Sequence, residues 1–135
     1  MLDFIARPVA SLDIGWEVAA GCSQQGRVRN DWGDWFGCES GNLARHYPLP
    51  DHYVRRNPHS APPRPFVSVA SSSRLFPIRK NLGLFPLSGP PGGVTAACGI
   101  GVYRDERLGK EYAGNVFTCE PANLVVHREI LEPVG

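Results

Sequence analysis

Two histidines hold equivalent places in an internal repeat and are the first candidates for chemistry. The segment from Phe36 to His46 recurs from Phe117 to His127, 81 positions later, with Phe, Cys, Glu, Asn, Leu and His all matching and no gap. An imidazole can accept a proton from a hydroxyl near neutral pH, so both histidines are candidate catalytic bases. The polar residues that could bind a substrate or cofactor beside them are Asn42, Arg45 and Asn123.

The repeat also places a cysteine with each histidine, which raises the question of a metal site. Cys38 with His46 and Cys119 with His127 would supply two thiolates and two imidazoles, the donors of a tetrahedral zinc centre. Seven residues separate the members of each pair, which differs from the short ligand spacings of zinc motifs. The symmetric placement follows from the repeat alone, so we expect no metal site.

A second cluster has the composition of a carbohydrate site. Asp31 and Asp34 alternate with Trp32 and Trp35, and a sugar site needs an aromatic surface with polar partners beside it. The alternative is that the tryptophans pack in a core while one aspartate stabilises a turn. The sequence contains no nucleophile elbow, metalloprotease helix, P-loop or EF-hand motif, and Gly99–Gly101 is not followed by a helix as a dinucleotide site requires.

Composition excludes several classes of protein. The chain has 135 residues with 42% hydrophobic residues, enough for one domain with a packed core. A net charge of +1 argues against a nucleic-acid binder. No run of 18 apolar residues is present, so we expect no transmembrane segment. Asp3 and Arg7 interrupt the N-terminal stretch, so we expect no signal peptide in this chain.

Four cysteines leave two interpretations open. They show no C-x-x-C spacing, which excludes a haem attachment motif and a zinc ribbon. In an oxidising compartment they could form two disulfides in any of three pairings, and otherwise they could be small, free core residues. The four residues are Cys22, Cys38, Cys98 and Cys119.

Short strand patterns bounded by Gly, Pro, Asn or Ser predict an all-β fold. The one helical pattern, Asp105–Tyr112, is short and contains Gly109. The Pro- and Gly-rich segments 48–65 and 81–93 predict long loops. The predicted strands are Ile14–Ala20, Trp35–Cys38, Leu43–Tyr47, Phe66–Ala70, Val94–Arg104, Asn115–Glu120 and Leu124–Ile130.

Each copy of the repeat is predicted to form a hairpin with a four-residue connection. Its Glu and Asn can accept hydrogen bonds from turn amides, a structural role that is the alternative to chemistry for the repeated polar residues. The repeat period is close to twice the roughly 40–45 residues of a propeller blade, so we expect the copies to lie two blades apart. Residues 1–135 would then be a single partial β-propeller domain of about three blades, too few to close.

Two runs of the chain, Gly26–His59 and Val94–Leu131, resemble the membrane-bound dehydrogenase-type propeller domain of large, multidomain secreted bacterial proteins. They cover about half of the chain. That domain is similar to the glucose/sorbosone dehydrogenase propellers, which use pyrroloquinoline quinone and calcium. The segments that fit the resemblance as they stand are Trp32–Cys38, His46–Asp51, Arg55–Pro58, Tyr103–Asp105 and Gly114–Pro121.

The resemblance implies a fragment of a quinoprotein-like sugar or alcohol dehydrogenase that is inactive alone. A longer parent would hold the quinone and calcium, bind a carbohydrate or alcohol, supply the remaining blades, and be periplasmic or secreted. There the cofactor performs the redox step and a His takes the hydroxyl proton. The resemblance transfers no catalytic residue to this chain. The alternative function is a non-enzymatic propeller scaffold that binds carbohydrate or protein.

Overall fold

The computed structural model describes residues 3–7, 15–19, 21–50, 53, 56–61, 63–78 and 92–132. These residues form an all-β structure, which confirms the all-β part of the predicted fold. In the described ranges no helix is long and apolar enough to cross a membrane. The strands are β1 (Asp3–Arg7), β2 (Gly15–Ala19), β3 (Arg27–Arg29), β4 (Trp35–Glu39), β5 (Asn42–Tyr47), β6 (Val67–Ser68), β7 (Cys98–Val102), β8 (Val116–Glu120) and β9 (Val125–Glu129).

The strands form three antiparallel groups in which neighbours in sequence are neighbours in space. β1 and β2 form a two-stranded ribbon, β3 to β6 form a four-stranded sheet, and β7 to β9 form a three-stranded sheet. Each connection is therefore a simple meander, as short antiparallel strands with turn residues between them favour. The described strands do not close into a barrel or a propeller.

A small apolar core lies where the four-stranded and three-stranded sheets meet. Leu43 on β5 is almost completely buried, and burying such a side chain contributes about 2 kcal/mol. Thr118 on β8 donates a buried hydrogen bond of 2.8 Å from its Oγ1 to the Leu43 carbonyl. The core residues are Cys38, Leu43, Leu75 and Ala97, with Ala70, Val94, Ile100 and Val125 packed around them.

The two copies of the repeat therefore lie in sheets that touch each other. The hydrogen bond between Thr118 and Leu43 joins them directly, so the expectation that they lie two blades apart is wrong. Long irregular connections account for much of the 81-residue offset between the two copies. Among the described residues between β5 and β7, only β6 is a strand, because the prolines of segment 48–65 cannot donate to a sheet ladder.

Most predicted strands are confirmed with small shifts at their ends, but one is much shorter than predicted. Val94–Arg104 contains only β7, because the Thr95 and Ala96 amides donate to the Glu120 carboxylate instead of a neighbouring strand. Phe66–Ala70 likewise contains only β6. The strands β1 and β3 were not predicted.

The short helical pattern over Asp105–Tyr112 does not form an α-helix. This stretch is a turn followed by a single 3-10 turn, Lys110–Tyr112. Gly109 precedes that turn with a φ of 116°, a left-handed conformation that breaks a continuous helix. Of the predicted loops, the described part of 48–65 contains no strand, and residues 81–91 lie outside the described residues.

The two repeat hairpins differ in turn and register. In the first, only Ser40 and Gly41 separate β4 from β5, so the four-residue connection predicted for it is wrong. In the second, a 3-10 turn and Leu124, which has a φ of 57°, form a connection of the predicted four residues. It lies one residue later than predicted, because Glu120 ends β8 and Leu124 precedes β9. His46 consequently faces Phe36, whereas His127 faces Thr118.

Candidate functional site

The turn between β3 and β4, Asn30–Asp34, presents a highly exposed tryptophan on a closed backbone. Trp32 is 82% exposed. The Asn30 Oδ1 accepts hydrogen bonds from the Trp32 amide at 3.1 Å and the Asp34 amide at 2.8 Å. Gly33 has a φ of 102°, which favours glycine. We call this segment the Trp32 turn, and its internal hydrogen bonds hold the indole on a defined backbone.

Two arginines that lie outside the Trp32 turn donate hydrogen bonds to it. Arg29 donates from Nε to the Gly33 carbonyl at 3.0 Å. Arg104, which follows β7, donates from Nε to Asp31 Oδ1 at 2.7 Å and also donates to the Arg29 carbonyl. Because Arg104 comes from the three-stranded sheet, residues from both sheets fix this turn. A partly exposed ion pair of this kind adds at most about 1 kcal/mol, so its main effect is to position charge.

His46 lies against the same turn and pairs with one of its carboxylates. Its Nε2 is 3.5 Å from Asp34 Oδ1, and its ring stacks on Phe36 with centroids 5.1 Å apart. The other Asp34 oxygen accepts from Asn30 Nδ2 at 3.0 Å, which orients the carboxylate. The His46 and Asp34 side chains are 27% and 48% exposed, but the His46 Nε2 atom that faces Asp34 is itself buried. A histidine–carboxylate pair is a candidate proton acceptor, but here a ligand would reach the partly exposed carboxylate and not the buried Nε2.

His127 forms a tighter and more buried pair elsewhere. Its Nε2 is 2.8 Å from Glu129 Oε2, and the side chains are only 18% and 7% exposed. The other Glu129 oxygen accepts from the Ser71 amide at 3.0 Å. The carboxylate thus ties β9 to the segment that follows β6. The structure gives the two candidate histidines separate sets of partners.

The predicted binding residues of the first hairpin make structural contacts. Asn42 donates from Nδ2 to Ser68 Oγ at 2.9 Å and accepts from the Ala44 amide at 3.1 Å. Arg45 pairs with Glu39 and lies over the Phe66 ring, with 4.0 Å from its Cζ to the centroid. Both side chains therefore connect β5 to its surroundings.

Asn123 belongs to a buried carboxylate site built around Glu120, the glutamate of the second repeat copy. Glu120 is fully buried. One of its oxygens accepts from the Thr95 amide, the Thr95 hydroxyl and the Ala96 amide at 3.2, 3.2 and 2.6 Å. The other accepts from the Asn123 amide at 2.7 Å and from Asn123 Nδ2 at 2.6 Å. Asn123 also donates to the Gly93 carbonyl at 3.1 Å.

This hydrogen bonding keeps Glu120 charged inside the protein. Burial alone would raise the pKa of the Glu120 carboxyl, but hydrogen bonds from Asn123, Ala96 and Thr95 outweigh it and hold that pKa below its ordinary value. The five donors give this carboxylate a structural role, as the sequence had suggested for the repeated Glu and Asn. The signal available in the sequence was the recurrence of Glu before each turn.

Comparison with known proteins finds one family. The family described as a domain of unknown function (DUF7133) matches residues 3–135. The chain belongs to this family. No curated protein and no solved structure matches it. The match extends over almost the whole DUF7133 chain, so the Trp32 turn and both repeat hairpins lie inside the family domain.

The donors described in this DUF7133 chain do not fit the cofactors that the resemblance implies. Calcium takes six to eight oxygen ligands, but Asp31 is engaged by Arg104 and Asp34 lies against His46. In the described ranges no three His, Cys, Asp or Glu side chains are arranged to hold a metal ion. Arginines that could face quinone carboxylates lie instead over aromatic rings: Arg27 over Tyr47, Arg45 over Phe66 and Arg128 over Tyr112.

Proposed function

We propose that this DUF7133 chain binds a carbohydrate or sugar alcohol at the Trp32 turn, as part of a propeller-type domain of a longer protein. The observation that carries the proposal is the 82% exposed Trp32 on a turn closed by Asn30. An exposed large aromatic side chain is costly to leave in water and provides a flat apolar face for the C–H face of a sugar ring. Because the turn is held by its own hydrogen bonds, binding costs little backbone ordering.

Charged groups around the turn suit a polyhydroxylated ligand. Asp31 and Asp34 supply acceptors, and Arg104 supplies donors on the same side of the molecule as Asp31. Such groups hydrogen-bond hydroxyls and confer specificity on an otherwise apolar contact. His46 reaches Asp34 from β5, so it helps to position the partly exposed carboxylate, which can accept a hydrogen bond from a sugar hydroxyl beside the turn.

The propeller part of the proposal rests on the two larger sheets. Consecutive antiparallel meanders that carry the same motif and pack against each other are the arrangement expected of neighbouring blades. The four-stranded sheet has the strand number of one blade. In that arrangement the three-stranded sheet would be the next blade, and the remaining blades would come from a longer parent.

A sugar dehydrogenase of the quinoprotein-like class is the wider form of this proposal, with the oxidising cofactor and calcium held elsewhere in the parent. The observation that favours it is the contact between His46 and the partly exposed Asp34 carboxylate beside the Trp32 turn. The non-enzymatic scaffold is the second candidate. It is favoured by the engagement of Asn42, Arg45 and Asn123 in structural hydrogen bonds.

Binding of a panel of mono- and oligosaccharides to the full chain tests the proposal. We expect at least one sugar of the panel to quench or shift the Trp fluorescence and to give a calorimetric binding isotherm. W32A should weaken its affinity at least about tenfold, because truncating an anchoring Trp costs about 2 kcal/mol or more.

The matched control is F76A, since Phe76 is another exposed aromatic residue, at 75%. It should leave affinity unchanged, and neither variant should shift the thermal midpoint by more than a few degrees. Equal losses in both variants would show that the effect is not specific to the Trp32 turn. Absence of binding across the panel would refute the proposal.

A further inference from the structure

Two cysteines face each other across neighbouring strands of the three-stranded sheet. Cys98 on β7 and Cys119 on β8 are direct partners in the antiparallel register. Both are free thiols. Directly opposed residues of an antiparallel pair point to the same face, with Cα atoms about 4.5–5.5 Å apart. That separation lies within the roughly 4.4–6.8 Å that a disulfide spans.

The backbone beside this pair is irregular and can adjust locally. The register shifts between Cys98 and Gly101, and Gly99 has a φ of 60°. A bulge of this kind interrupts the ladder and increases the local twist. Small changes at Cys98 are therefore not transmitted along the ladder to Val102 and Val116, which pair beyond the shift.

We propose that Cys98 and Cys119 form a reversible cross-strand disulfide. This inference is independent of the proposed sugar site. Cys119 is exposed and Cys98 is half-buried, so an external disulfide reaches Cys119 first. Burial, together with the nearby Cys119 and Glu120, raises the pKa of the Cys98 thiol. Because Cys98 is less exposed than Cys119, it acts as the second thiol.

The exchange is balanced with oxidised glutathione, a small-molecule disulfide, as the oxidant. The Cys119 thiolate attacks one glutathione sulfur, forms a mixed disulfide, and releases one glutathione thiolate that takes up the proton Cys119 lost. Cys98 then loses its proton and attacks the Cys119 sulfur, and the second glutathione leaves and is protonated. The two protein thiols lose two electrons, and the glutathione disulfide gains them.

The other two thiols are poorly placed for this reaction. Cys38 is fully buried, and its Sγ donates to the Gln24 carbonyl at 3.7 Å. Burial also raises the pKa of the Cys38 thiol. Cys22 belongs to the four-stranded sheet side, where its Sγ lies 3.5 Å from Glu39 Oε1. Only one of the three pairings that the sequence leaves open contains the link between Cys98 and Cys119, and the register of β7 and β8 favours that link.

The proposed link would close the excursion between β7 and β8. That excursion is held at its base by backbone hydrogen bonds between Tyr103 and Asn115, and between Gly114 and Tyr103, at 2.9 and 2.8 Å. A covalent link across the flanking strands restricts the unfolded chain over the same segment. We therefore expect the oxidised chain to melt on the order of 10 °C higher than the reduced chain.

Equilibration of the folded full chain in glutathione redox buffers, followed by thiol alkylation and peptide mapping, tests this inference. We expect a peptide pair linked through Cys98 and Cys119, with Cys38 still alkylated after unfolding. C98S should trap a lasting glutathione adduct on Cys119, because the second thiol is gone. C22S is the control and should form the Cys98–Cys119 link at the same redox potential of the glutathione buffer as the unchanged chain.

Three outcomes would overturn the inference. The first is a link through Cys38 or Cys22 in place of the expected pair. The second is a glutathione adduct on Cys119 that persists in the unchanged chain while Cys98 remains reduced. The third is full alkylation of both residues at every buffer poise up to pure oxidised glutathione.

Discussion

The first repeat hairpin, β4–β5, and the second, β8–β9, share six residue types but place their histidines in different surroundings. In the first, His46 stacks on Phe36 and lies 3.5 Å from the partly exposed Asp34 carboxylate. In the second, His127 is half-buried and bonded to the buried Glu129. The same residue types at the same offset therefore place one imidazole beside the Trp32 turn and the other in a tight pair inside the fold.

The turn causes this difference. The first hairpin closes through Ser40 and Gly41 and shifts its register between Gly37 and Glu39. The second closes through a 3-10 turn that begins at Pro121 and keeps one register throughout. Pro is favoured at the first position of such a turn, whereas Gly permits a tighter connection. A change of one residue in register moves a side chain to a new partner, so the connection decides what each His contacts.

The repeated glutamates diverge for the same reason. Glu39 is partly exposed and pairs with Arg45. Glu120 is fully buried and accepts five hydrogen bonds. The second hairpin therefore relies on a buried charge that the first hairpin lacks. This contrast gives the largest expected effect of substitution in the described residues.

The isosteric change Glu120→Gln should be the most damaging. A glutamine keeps one acceptor oxygen and turns an NH₂ group toward the donors, so at least two buried hydrogen bonds are lost. We expect the free energy of unfolding to fall by about 3 kcal/mol, since hydrogen bonds to a buried charge are worth about 1.5–3 kcal/mol each. Urea denaturation at neutral pH measures this change.

The matched variant Glu39→Gln removes the same charge from the first hairpin. Its expected loss is below about 1 kcal/mol, because a partly exposed ion pair contributes little. Similar losses for the two glutamine variants would mean that the hairpins do not differ in the way their contacts indicate.

The same contrast between Glu120 and Glu39 should appear in how stability depends on pH. The pKa of Glu120 is lower in the folded chain than in the unfolded chain, where it is about 4.3. In the interval between the two pKa values the unfolded state binds more protons, so stability rises with pH there. The contribution of Glu120 is complete above the unfolded pKa and is lost as pH falls through the folded pKa.

Thermal melting between neutral pH and about pH 2 checks this dependence. The unchanged chain and Glu39→Gln should both lose stability steeply in acid, whereas Glu120→Gln should show a shallower decline. A decline of equal steepness in all three would assign acid sensitivity to other carboxylates.

The sequence was sufficient for the parts of the fold that depend on local pattern. The repeat placed both hairpins correctly, because matching alternation and turn residues act within a few positions. It could not give the register, since Ser40–Leu43 and Pro121–Leu124 align without a gap in the repeat, yet the first hairpin uses only Ser40 and Gly41 as its connection. Nor could it show that the Thr118 hydroxyl binds the Leu43 carbonyl, a contact between sheets that no local pattern encodes.

The same limit applies to the candidate site. Asp31, Trp32 and Asp34 were recognisable as a possible sugar site from composition. The arrival of His46 and Arg104 from other strands was not predictable, because it depends on how β5 and the three-stranded sheet pack against the turn.

Replacing each of the two repeated histidines by alanine tests the difference between the hairpins directly. The expected effects on stability are smaller than that of Glu120→Gln. His127→Ala removes the partner of a buried carboxylate, although the Ser71 amide still donates to Glu129. The expected loss is about 2 kcal/mol of unfolding free energy. His46→Ala removes a partly exposed ring whose Nε2 makes no hydrogen bond. It should cost about 1 kcal/mol or less, mainly from the lost stacking on Phe36. Calorimetric titration of both variants with the sugar that the chain binds measures their affinities. His46→Ala should weaken binding, whereas His127→Ala should leave it unchanged.

A reversed order of stability losses would mean that the tighter pair is on the first hairpin. Equal sugar affinity in both variants would remove His46 from the site, so that the Trp32 turn would bind the sugar without it.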